Sequence, residues 1–300
     1  MKNKIKIGIL GGDKRLCAVS AFFEKDGFEC AAWGMENVSS ELQSRNIVKT
    51  LDWQSTLSGA DAVILPLPIT TDGVRLNCNQ NLYQSNLYVP RLTEILDNTD
   101  KATLLFGGKI PQQIHRLASE RKLKLIDYYE FEEFQIKNAV PTAEGAIALA
   151  IKETPMTLFG SKAAIVGYGR IGRTLSLKLI ALGCKVTCIA RSKKDLAWAE
   201  CDGCDVIKLN KYAEIPERFD IIFNTVPHVI FNNELIDKLP KNQLFIDLAS
   251  LNGGIDVKSA EKRGIRVIKA LSLPGKCSPI TAGKIIYDSI KELLKEEGIL

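Results

Sequence analysis

A G-x-G-x-x-G pattern that begins at Gly167 is the set of residues whose types and spacing point most directly to chemistry. The first glycine allows a tight turn, the second lets the backbone approach a pyrophosphate, and the third lets a helix pack closely on the preceding strand. The N–H groups that open this helix would face the phosphates. We therefore predict a dinucleotide-binding loop. Its six candidate cofactor-binding residues are Gly167, Tyr168, Gly169, Arg170, Ile171 and Gly172.

The elements around this loop support the prediction, because the glycine spacing alone is weak evidence. The apolar run Ala163–Val166 predicts a buried strand, and the apolar spacing of Arg173–Leu182 predicts an amphipathic helix. A second strand is predicted over Lys185–Ala190. Strand, glycine turn, helix and strand within about 30 residues is the context that distinguishes a dinucleotide fold. The alternative is a glycine turn that binds no ligand.

The tip of the second strand indicates which dinucleotide binds. A carboxylate there would accept hydrogen bonds from the ribose hydroxyls and favour NAD. The tip has no carboxylate before Asp195, and a guanidinium can bind a 2′-phosphate through two charge-assisted hydrogen bonds. We therefore predict NADP(H) as the cofactor, the alternative being that the tip carries only solvated surface charges. The candidate residues are Ala190, Arg191, Ser192 and Lys193.

Composition restricts the class of protein. The mean hydropathy is near zero and no apolar run is long enough to cross a bilayer. The net charge of +5 is spread along the chain, so neither a membrane nor a nucleic acid is expected as a partner. Ile5–Leu10 is too short for a signal peptide, and eight cysteines without a signal indicate a reducing cytoplasm. No metal site is expected, because the C-x-x-C at Cys201 and Cys204 has no second ligand pair.

Strand and helix patterns alternate along the chain and predict an α/β protein with two doubly wound parallel sheets. Residues 1–140 are predicted to form a flavodoxin-like or Rossmann-like substrate domain. Residues 141–300 contain the glycine pattern and the six strands of a Rossmann dinucleotide-binding domain. The amphipathic helix over residues 279–297 is expected to pack back on the first domain.

Residues that follow predicted strands are further candidates, because ligands bind beyond the carboxyl ends of parallel strands. In the first domain the candidates are groups suited to an anion, and for each the alternative is a surface charge or a strand-end cap. They are Arg15, Thr70, Thr71 and Lys109. In the second domain the loops after the fourth and fifth strands should pass beside the nicotinamide ribose. Their candidate residues are Thr225, Val226, Pro227 and Ala249.

A long helical pattern that starts near Tyr128 connects the two predicted domains. Pro141 should bend or restart the helix. Thr142 and Glu144 follow it and are expected to line an interdomain cleft. A sufficiently dry cleft would raise the pKa of Glu144 and make it a general base. The alternative is a carboxylate at a helix start that interacts with the helix dipole.

Five segments carry a resemblance to known families. They are the opening run that ends at Arg15, Leu65–Pro68, Pro141–Ala146, Gly167–Gly172 and Ser272–Lys276. The second domain resembles the NAD-binding domain of D-isomer-specific 2-hydroxyacid dehydrogenases. Over essentially its whole length the chain resembles the family of dipicolinate synthase A subunits. Since many families share the glycine pattern, the segments at Thr142 and Ser272 carry the specificity.

The resemblance implies formation of dipicolinate, pyridine-2,6-dicarboxylate, in the cytoplasm of the mother cell of a sporulating bacterium. It also implies a flavoprotein-like partner, the B subunit of dipicolinate synthase, and we expect an oligomer. Dihydrodipicolinate would lose a hydride to NADP⁺ and a proton to a base or to water. Whether the substrate is this dihydro compound or its hydrated tetrahydro precursor stays open. Thr142 and Ser272 join the candidates for binding the substrate, and the candidate catalytic residues are His228, Glu144 and Lys276.

Two other functions stay open. A 2-hydroxyacid-type dehydrogenase would, in that family, use a histidine late in the chain as its base. The two histidines are His115, expected to be structural, and His228, which lies one strand too early for that role. A non-catalytic NADP(H)-sensing subunit would keep the glycine pattern but would not need the cationic candidates.

Overall fold

The computed structural model describes residues 4–34, 47–78, 88–214, 219–241, 243–249 and 253–300. The chain divides into two compact units, of which unit 1 comprises residues 1–137 and 278–300 and unit 2 comprises residues 138–277. Each unit contains a six-stranded sheet in which every pairing is parallel. The predicted fold class, two doubly wound α/β sheets, is confirmed. The domain boundaries drawn at 140 and 141 stay a prediction of which segments fold independently.

Unit 1 contains the first run of alternating strands and helices. Its strands are β1 (Lys6–Leu10), β2 (Glu29–Trp33), β3 (Val48–Lys49), β4 (Ala62–Ile64), β5 (Leu104–Gly107) and β6 (Lys124–Asp127). The helices between them are α1 (Lys14–Lys25), α2 (Trp53–Leu57), α3 (Leu92–Asp97) and α4 (Gln112–Glu120). The strand order β3-β2-β1-β4-β5-β6 is that of a dinucleotide-binding sheet, although this unit lacks the glycine spacing.

Unit 2 repeats this order. Its strands are β7 (Lys162–Val166), β8 (Lys185–Ala190), β9 (Asp205–Lys208), β10 (Ile221–Asn224), β11 (Leu244–Asp247) and β12 (Arg266–Lys269). Its helices are α6 (Arg170–Ala181), α7 (Lys193–Cys201), a 3₁₀ helix (Leu209–Glu214), α8 (Asn233–Ile236), α9 (Val257–Arg263) and α10 (Leu273–Cys277). The strand order reverses direction between β7 and β10, and the loops that follow these two strands form the crevice where ligands bind.

The last helix, α11 (Pro279–Glu296), belongs to unit 1 and packs on α1. The Tyr287 ring lies edge-on to Phe23, with ring centroids 4.8 Å apart, and the Tyr287 hydroxyl and Lys291 both donate to the Asp26 carboxylate. Gly283 permits the close approach, because a Cβ there would lie 2.6 Å from the Cβ of Ala18. The C-terminal helix is therefore part of the core of unit 1.

Helix α5 (Glu132–Glu153) differs from the prediction, because it runs through Pro141 without a break. Proline removes a single backbone N–H from a helix, and the rest of the hydrogen-bond ladder tolerates that loss here. The Thr142 hydroxyl donates to the carbonyl of Asn138, four residues earlier, at 2.8 Å. The two-residue strand β3 was not predicted, since both of its residues are exposed and carry no apolar alternation.

Within the described ranges, no helix has the length and apolar character needed to cross a membrane.

Candidate functional site

The first glycine of the pattern turns the chain away from β7. Gly167 has a φ of +91°, which favours glycine, and its N–H donates to the carbonyl of Ile189 at 2.9 Å. A Cβ at this position would lie 2.6 Å from Thr225 Oγ1 and 2.7 Å from Val226 Cγ2. The Thr225 hydroxyl also donates to the carbonyl of Val166 at 2.9 Å. The loop after β10 therefore packs directly on the glycine turn.

The other two glycines have contrasting surroundings. A Cβ on Gly172 would lie 2.2 Å from the carbonyl oxygen of Gly167, so the start of α6 packs on the turn itself. A Cβ on Gly169 would have no atom within 4 Å in the described chain. Gly169 is the N-cap of α6, and no side chain caps this helix. Open space beside uncapped N–H groups fits the pyrophosphate of a dinucleotide.

The tip of β8 presents cations to solvent beside this turn. Arg191, Lys193 and Lys194 are exposed, and their side chains make no hydrogen bond or ion pair in the described part of the chain. Ser192 is the N-cap of α7, because its Oγ accepts from the N–H of Asp195 at 3.3 Å. The hydroxyl proton of Ser192 is not used in that bond and can still be donated to an anion.

A buried polar network holds together the loops that follow β10 and β11. Asn224 is fully buried, and its Nδ2 donates to Asp247 Oδ1 at 2.8 Å and to the carbonyl of Val226 at 2.9 Å. The Asp247 carboxylate also accepts from the N–H of Ala249 at 3.2 Å and of Gly254 at 2.9 Å. These contacts fix the position of Val226 and Ala249, two candidates for contacting the cofactor.

Three candidate catalytic residues lie in unit 2 and all are exposed. His228 follows Pro227, also exposed, in the loop after β10, and its side chain has no partner in the described chain. Glu144 forms an ion pair with Lys178 of α6, with Oε1 and Nζ 2.8 Å apart. Within its unit Glu144 therefore faces a lysine and solvent. Lys276 lies on α10, and its side chain makes no hydrogen bond or ion pair within the described residues.

The remaining substrate candidates of unit 2 differ in how free they are. The Thr142 hydroxyl already donates to a helix carbonyl, so it can act toward a ligand only as an acceptor. Ser272 is exposed and has a φ of +58° immediately before α10. A non-glycine residue in this region is held there by its surroundings, and such positions cluster at functional sites.

Arg15 of unit 1 is largely engaged by its own neighbours. Its Nε and Nη2 contact both carboxylate oxygens of Asp13, at 2.8 to 3.1 Å, and Nη2 also donates to the carbonyl of Leu67. The Arg15 side chain is 9% exposed. Asp13 also caps α1 by accepting from the N–H of Arg15. Nη1 is the terminal nitrogen left for a ligand, since no contact of it occurs in the described chain.

Thr70 and Thr71 lie in a turn that follows β4. The Thr70 hydroxyl donates to Asp72 at 3.0 Å and accepts from the N–H of Gly73 at 3.1 Å, so it stabilises the turn itself. Thr71 is exposed, and its hydroxyl makes no hydrogen bond within the residues that the structure describes. Of this pair, Thr71 has the hydroxyl available to a ligand.

Lys109 adopts a left-handed conformation, with a φ of +53°, directly after β5. Its N–H and that of Ile110 donate to the two carboxylate oxygens of Asp127, at 3.1 and 2.7 Å. The Lys109 ammonium lies 4.7 Å from the ring centroid of Tyr129, whose own N–H donates to Asp127. The buried Asp127 carboxylate thus holds the Lys109 loop in its strained conformation.

The sequence prediction missed the two acids that order these loops, Asp127 and Asp247. Both are buried, and each is the last residue of a strand that ends Leu-Ile-Asp or Phe-Ile-Asp. A carboxylate at the end of an apolar strand was the available signal. It shows where a polar group must find partners, but the partners come from loops that the local pattern does not identify.

Potential metal ligands come together once within the described ranges. His115, Asp127 and Glu130 each place one ligand atom within 4.8 Å of the others, and Nε2 of His115 is buried without a hydrogen-bond partner. The Asp127 oxygens already accept three backbone N–H groups. These donors stabilise the carboxylate without a cation, so we assign no metal to this group.

Comparison with known proteins adds to this geometry. Residues 6–129 match the family model of the N-terminal domain of the dipicolinate synthase A subunit. Residues 135–252 match the NAD-binding domain of D-isomer specific 2-hydroxyacid dehydrogenases. The dipicolinate synthase A subunit of Bacillus subtilis is 32% identical over 297 residues, which cover 99% of this chain and 98% of the relative. The chain belongs to the family of dipicolinate synthase A subunits.

Solved structures agree with this membership. The dipicolinate synthase A subunit from Bacillus halodurans superposes with a TM-score of 0.83 at 28% identity and covers 97% of both chains. Its counterpart from Bacillus subtilis gives a TM-score of 0.83 at 31% identity, over 99% of this chain and 97% of that chain. A transhydrogenase from Sinorhizobium meliloti, at 14% identity and a TM-score of 0.70, shares the fold. As a member of this family with a dehydrogenase NAD-binding domain, the chain is a nicotinamide-dinucleotide-dependent oxidoreductase.

Proposed function

We propose that this chain oxidises dihydrodipicolinate to dipicolinate with NADP⁺, as one component of a dipicolinate synthase in sporulating cells. Its membership of the A-subunit family supports the reaction. The observation that carries the choice of cofactor is the tip of β8, where Arg191 is exposed, lacks a protein partner in the described chain and has no carboxylate beside it. This tip suits a 2′-phosphate better than a ribose diol.

The proposed step removes a hydride and a proton from the dihydropyridine ring. When bound, NADP⁺ supplies the hydride acceptor, so dihydrodipicolinate and NADP⁺ yield dipicolinate, NADPH and one proton. Formation of the aromatic ring drives the oxidation. The chain itself must hold a dianion in register and accept or release the proton.

His228 is the residue that we propose as the proton acceptor. It is exposed in the loop after β10, two residues beyond Val226, and no group in the described chain competes for its imidazole. Glu144 is a weaker candidate because Lys178 already holds its carboxylate. Water is the remaining alternative. A variant His228→Gln that keeps full activity would leave Glu144 or water.

For the substrate carboxylates we propose the groups that are free to bind an anion. Lys276 and Ser272 are exposed in unit 2, and Lys109 and Thr71 are exposed in unit 1. Arg15 contributes at most through Nη1, because its other donors are engaged. Thr70 and Thr142 contribute to loop and helix structure and are secondary candidates.

Replacing Arg191 by alanine should weaken the binding of NADPH about tenfold or more and leave the binding of NADH nearly unchanged. The expected size follows from the loss of hydrogen bonds to a charged group, each contributing about 1.5–3 kcal/mol. Fluorescence titration of the purified chain with each reduced dinucleotide measures both affinities. Lys185→Ala is the matched control, since this exposed cation lies at the opposite end of the same strand. An Arg191→Ala chain with unchanged NADPH affinity would contradict the choice of cofactor.

We also propose that the chain works with a flavoprotein-like partner, the B subunit of the synthase, in the cytoplasm of the mother cell, and that it forms an oligomer. The Bacillus subtilis relative is named as one lettered component of a synthase, which supports a partner. Assaying NADP⁺-dependent turnover of dihydrodipicolinate with and without that partner tests the proposal. A chain that binds NADPH but never turns over, whether or not the partner is present, would instead support an NADP(H)-sensing role. Turnover of a 2-hydroxyacid would support the other alternative.

A further inference from the structure

Asp202 connects the glycine turn to the helix that follows the β8 tip. The phenol of Tyr168, the second residue of the glycine pattern, donates to Asp202 Oδ2 at 2.9 Å. Arg173, in the first turn of α6, donates to the same carboxylate through Nε at 2.7 Å and Nη2 at 3.2 Å. One carboxylate therefore binds both the pyrophosphate-binding loop and the helix that starts from it.

The other side of this contact is α7. Asp202 is the C-cap residue of α7, and the guanidinium of Arg173 lies 4.6 Å from the ring centroid of Trp198, one turn earlier in the helix. At the opposite end of α7, Ser192 is the N-cap and Arg191 precedes it. The helix thus has the proposed 2′-phosphate group at its start and the fingerprint contact at its end.

A carboxylate at this position does not stabilise α7 by itself. The C-terminus of a helix carries a partial negative charge, so an anion there is unfavourable unless it is paired. The hydrogen bonds from Arg173 and Tyr168 lower the pKa of Asp202 and offset this repulsion. The Asp202 side chain is only 14% exposed, and Tyr168 is buried beneath it. The contact therefore stabilises the relation between two elements more than either element alone.

We propose that Asp202 is a positioning residue for NADP(H) selectivity, because it fixes the β8 tip relative to the loop that binds the pyrophosphate. This inference rests on the proposed use of NADP(H). Helix α7 has nine residues and is about 13 Å long. A tilt of about 5° at its Asp202 end would move Arg191 by about 1 Å. A displacement of that size is enough to impair a bidentate contact with a phosphate.

Asp202→Asn should raise the Kd for NADPH about fivefold and change the Kd for NADH by less than about twofold. NADH has no 2′-phosphate, and the glycine turn keeps its contacts with Thr225 and Ile189. Tyr168→Phe keeps the buried ring and removes only the hydroxyl, so it should shift the ratio of the two Kd values in the same direction by a smaller amount. Fluorescence titration with NADPH and NADH provides both ratios. Unfolding curves of both variants show whether each is folded under these conditions.

Glu153→Gln is the matched control, because it removes an ion pair of unit 2 between the end of α5 and the start of β12, Arg266, which is not part of α7 or of the glycine loop. It should leave the ratio of Kd values unchanged. The decisive comparison is a double mutant. In an Arg191→Ala background, Asp202→Asn should have no further effect on the ratio, since the group that it positions is gone.

Three results separate the proposals. If Asp202→Asn lowers the preference for NADPH in the wild-type background alone, the positioning role is supported. If it leaves the ratio unchanged, or lowers it equally in both backgrounds, the positioning role is wrong while the choice of cofactor stands. If the wild type and Arg191→Ala show the same ratio, the NADP(H) proposal itself fails, and the positioning role fails with it.

Discussion

Replacing Gly172 by alanine should abolish measurable dinucleotide binding and destabilise unit 2. The new Cβ would lie 2.2 Å from the carbonyl oxygen of Gly167, and a backbone atom cannot move aside as a flexible side chain can. Either α6 must shift away from the turn or the turn must change its conformation. Overpacking of this kind costs about 1–3 kcal/mol, and the shift displaces the N–H groups that we expect to face the phosphates.

Gly169→Ala is the matched variant in the same loop. Its Cβ would meet no atom within 4 Å in the described chain, and its φ of −80° is open to alanine. We expect the free energy of unfolding to fall by about 1 kcal/mol at most, the usual difference between glycine and alanine at an N-cap. Binding of NADPH should nevertheless weaken at least tenfold, because the methyl group would take the space offered to the pyrophosphate.

Urea unfolding and NADPH titration of the two glycine variants distinguish structure from ligand contact. Loss of stability and binding in Gly172→Ala, with loss of binding alone in Gly169→Ala, is the expected pattern. Wild-type NADPH affinity in Gly169→Ala would show that the backbone at this glycine does not approach the ligand.

Replacing Asp247 by alanine should lower the free energy of unfolding by about 3 kcal/mol or more. The change leaves the N–H groups of Ala249 and Gly254 and the Nδ2 of Asn224 short of an acceptor in a buried environment. Each such unsatisfied donor costs about 1–3 kcal/mol. Because the same network orders the loops at Val226 and Ala249, NADPH affinity should fall as well.

Asp256→Ala is the control for this variant. Asp256 is the N-cap of α9 in the chain segment that follows Gly254, and its carboxylate accepts from the N–H of Ser259. Losing that cap should reduce the free energy of unfolding by about 1 kcal/mol and leave NADPH affinity intact. Urea unfolding and NADPH titration measure both variants. Equal and small effects of the two changes would contradict the structural role of the buried Asn224–Asp247 network.

The sequence was sufficient for features that depend on local pattern. Strand, glycine turn and helix follow from the spacing around Gly167, and the tip of β8 is read directly from Arg191 and its neighbours. The alternation of apolar strands and amphipathic helices predicts parallel sheets in both halves. These features are encoded within about 30 consecutive residues, so a single pattern contains all the residues that form them.

The features that the sequence did not reveal depend on contacts between distant residues. Asp202 follows Tyr168 by 34 positions, and nothing in either segment shows that they meet. Arg15 carries a charge that the pattern leaves free for a ligand, yet Asp13, two residues away, takes most of its donors once α1 begins. Asp127 was not singled out at all. In each case the partner is decided by the tertiary fold and not by local spacing.

Backbone strain is likewise absent from the sequence. In the described chain, three non-glycine residues have a positive φ, and two of them, Lys109 and Ser272, are candidates for binding the substrate. The third, Lys122, ends the turn after α4. Strain at Lys109 and Ser272 supports their proposed roles, because a strained backbone persists where its surroundings hold it. Their roles stay predictions until substrate binding is measured.

The central claim is that this chain transfers a hydride from dihydrodipicolinate to NADP⁺. The most direct test mixes the purified chain with NADP⁺ and enzymatically generated dihydrodipicolinate, with and without the flavoprotein-like partner, and follows NADPH absorbance and dipicolinate in the same sample. We expect both to rise in equimolar amounts, with NAD⁺ much less effective. Dipicolinate formed without NADPH, by a chain that binds NADP⁺, would contradict the claim and assign the oxidation to another acceptor.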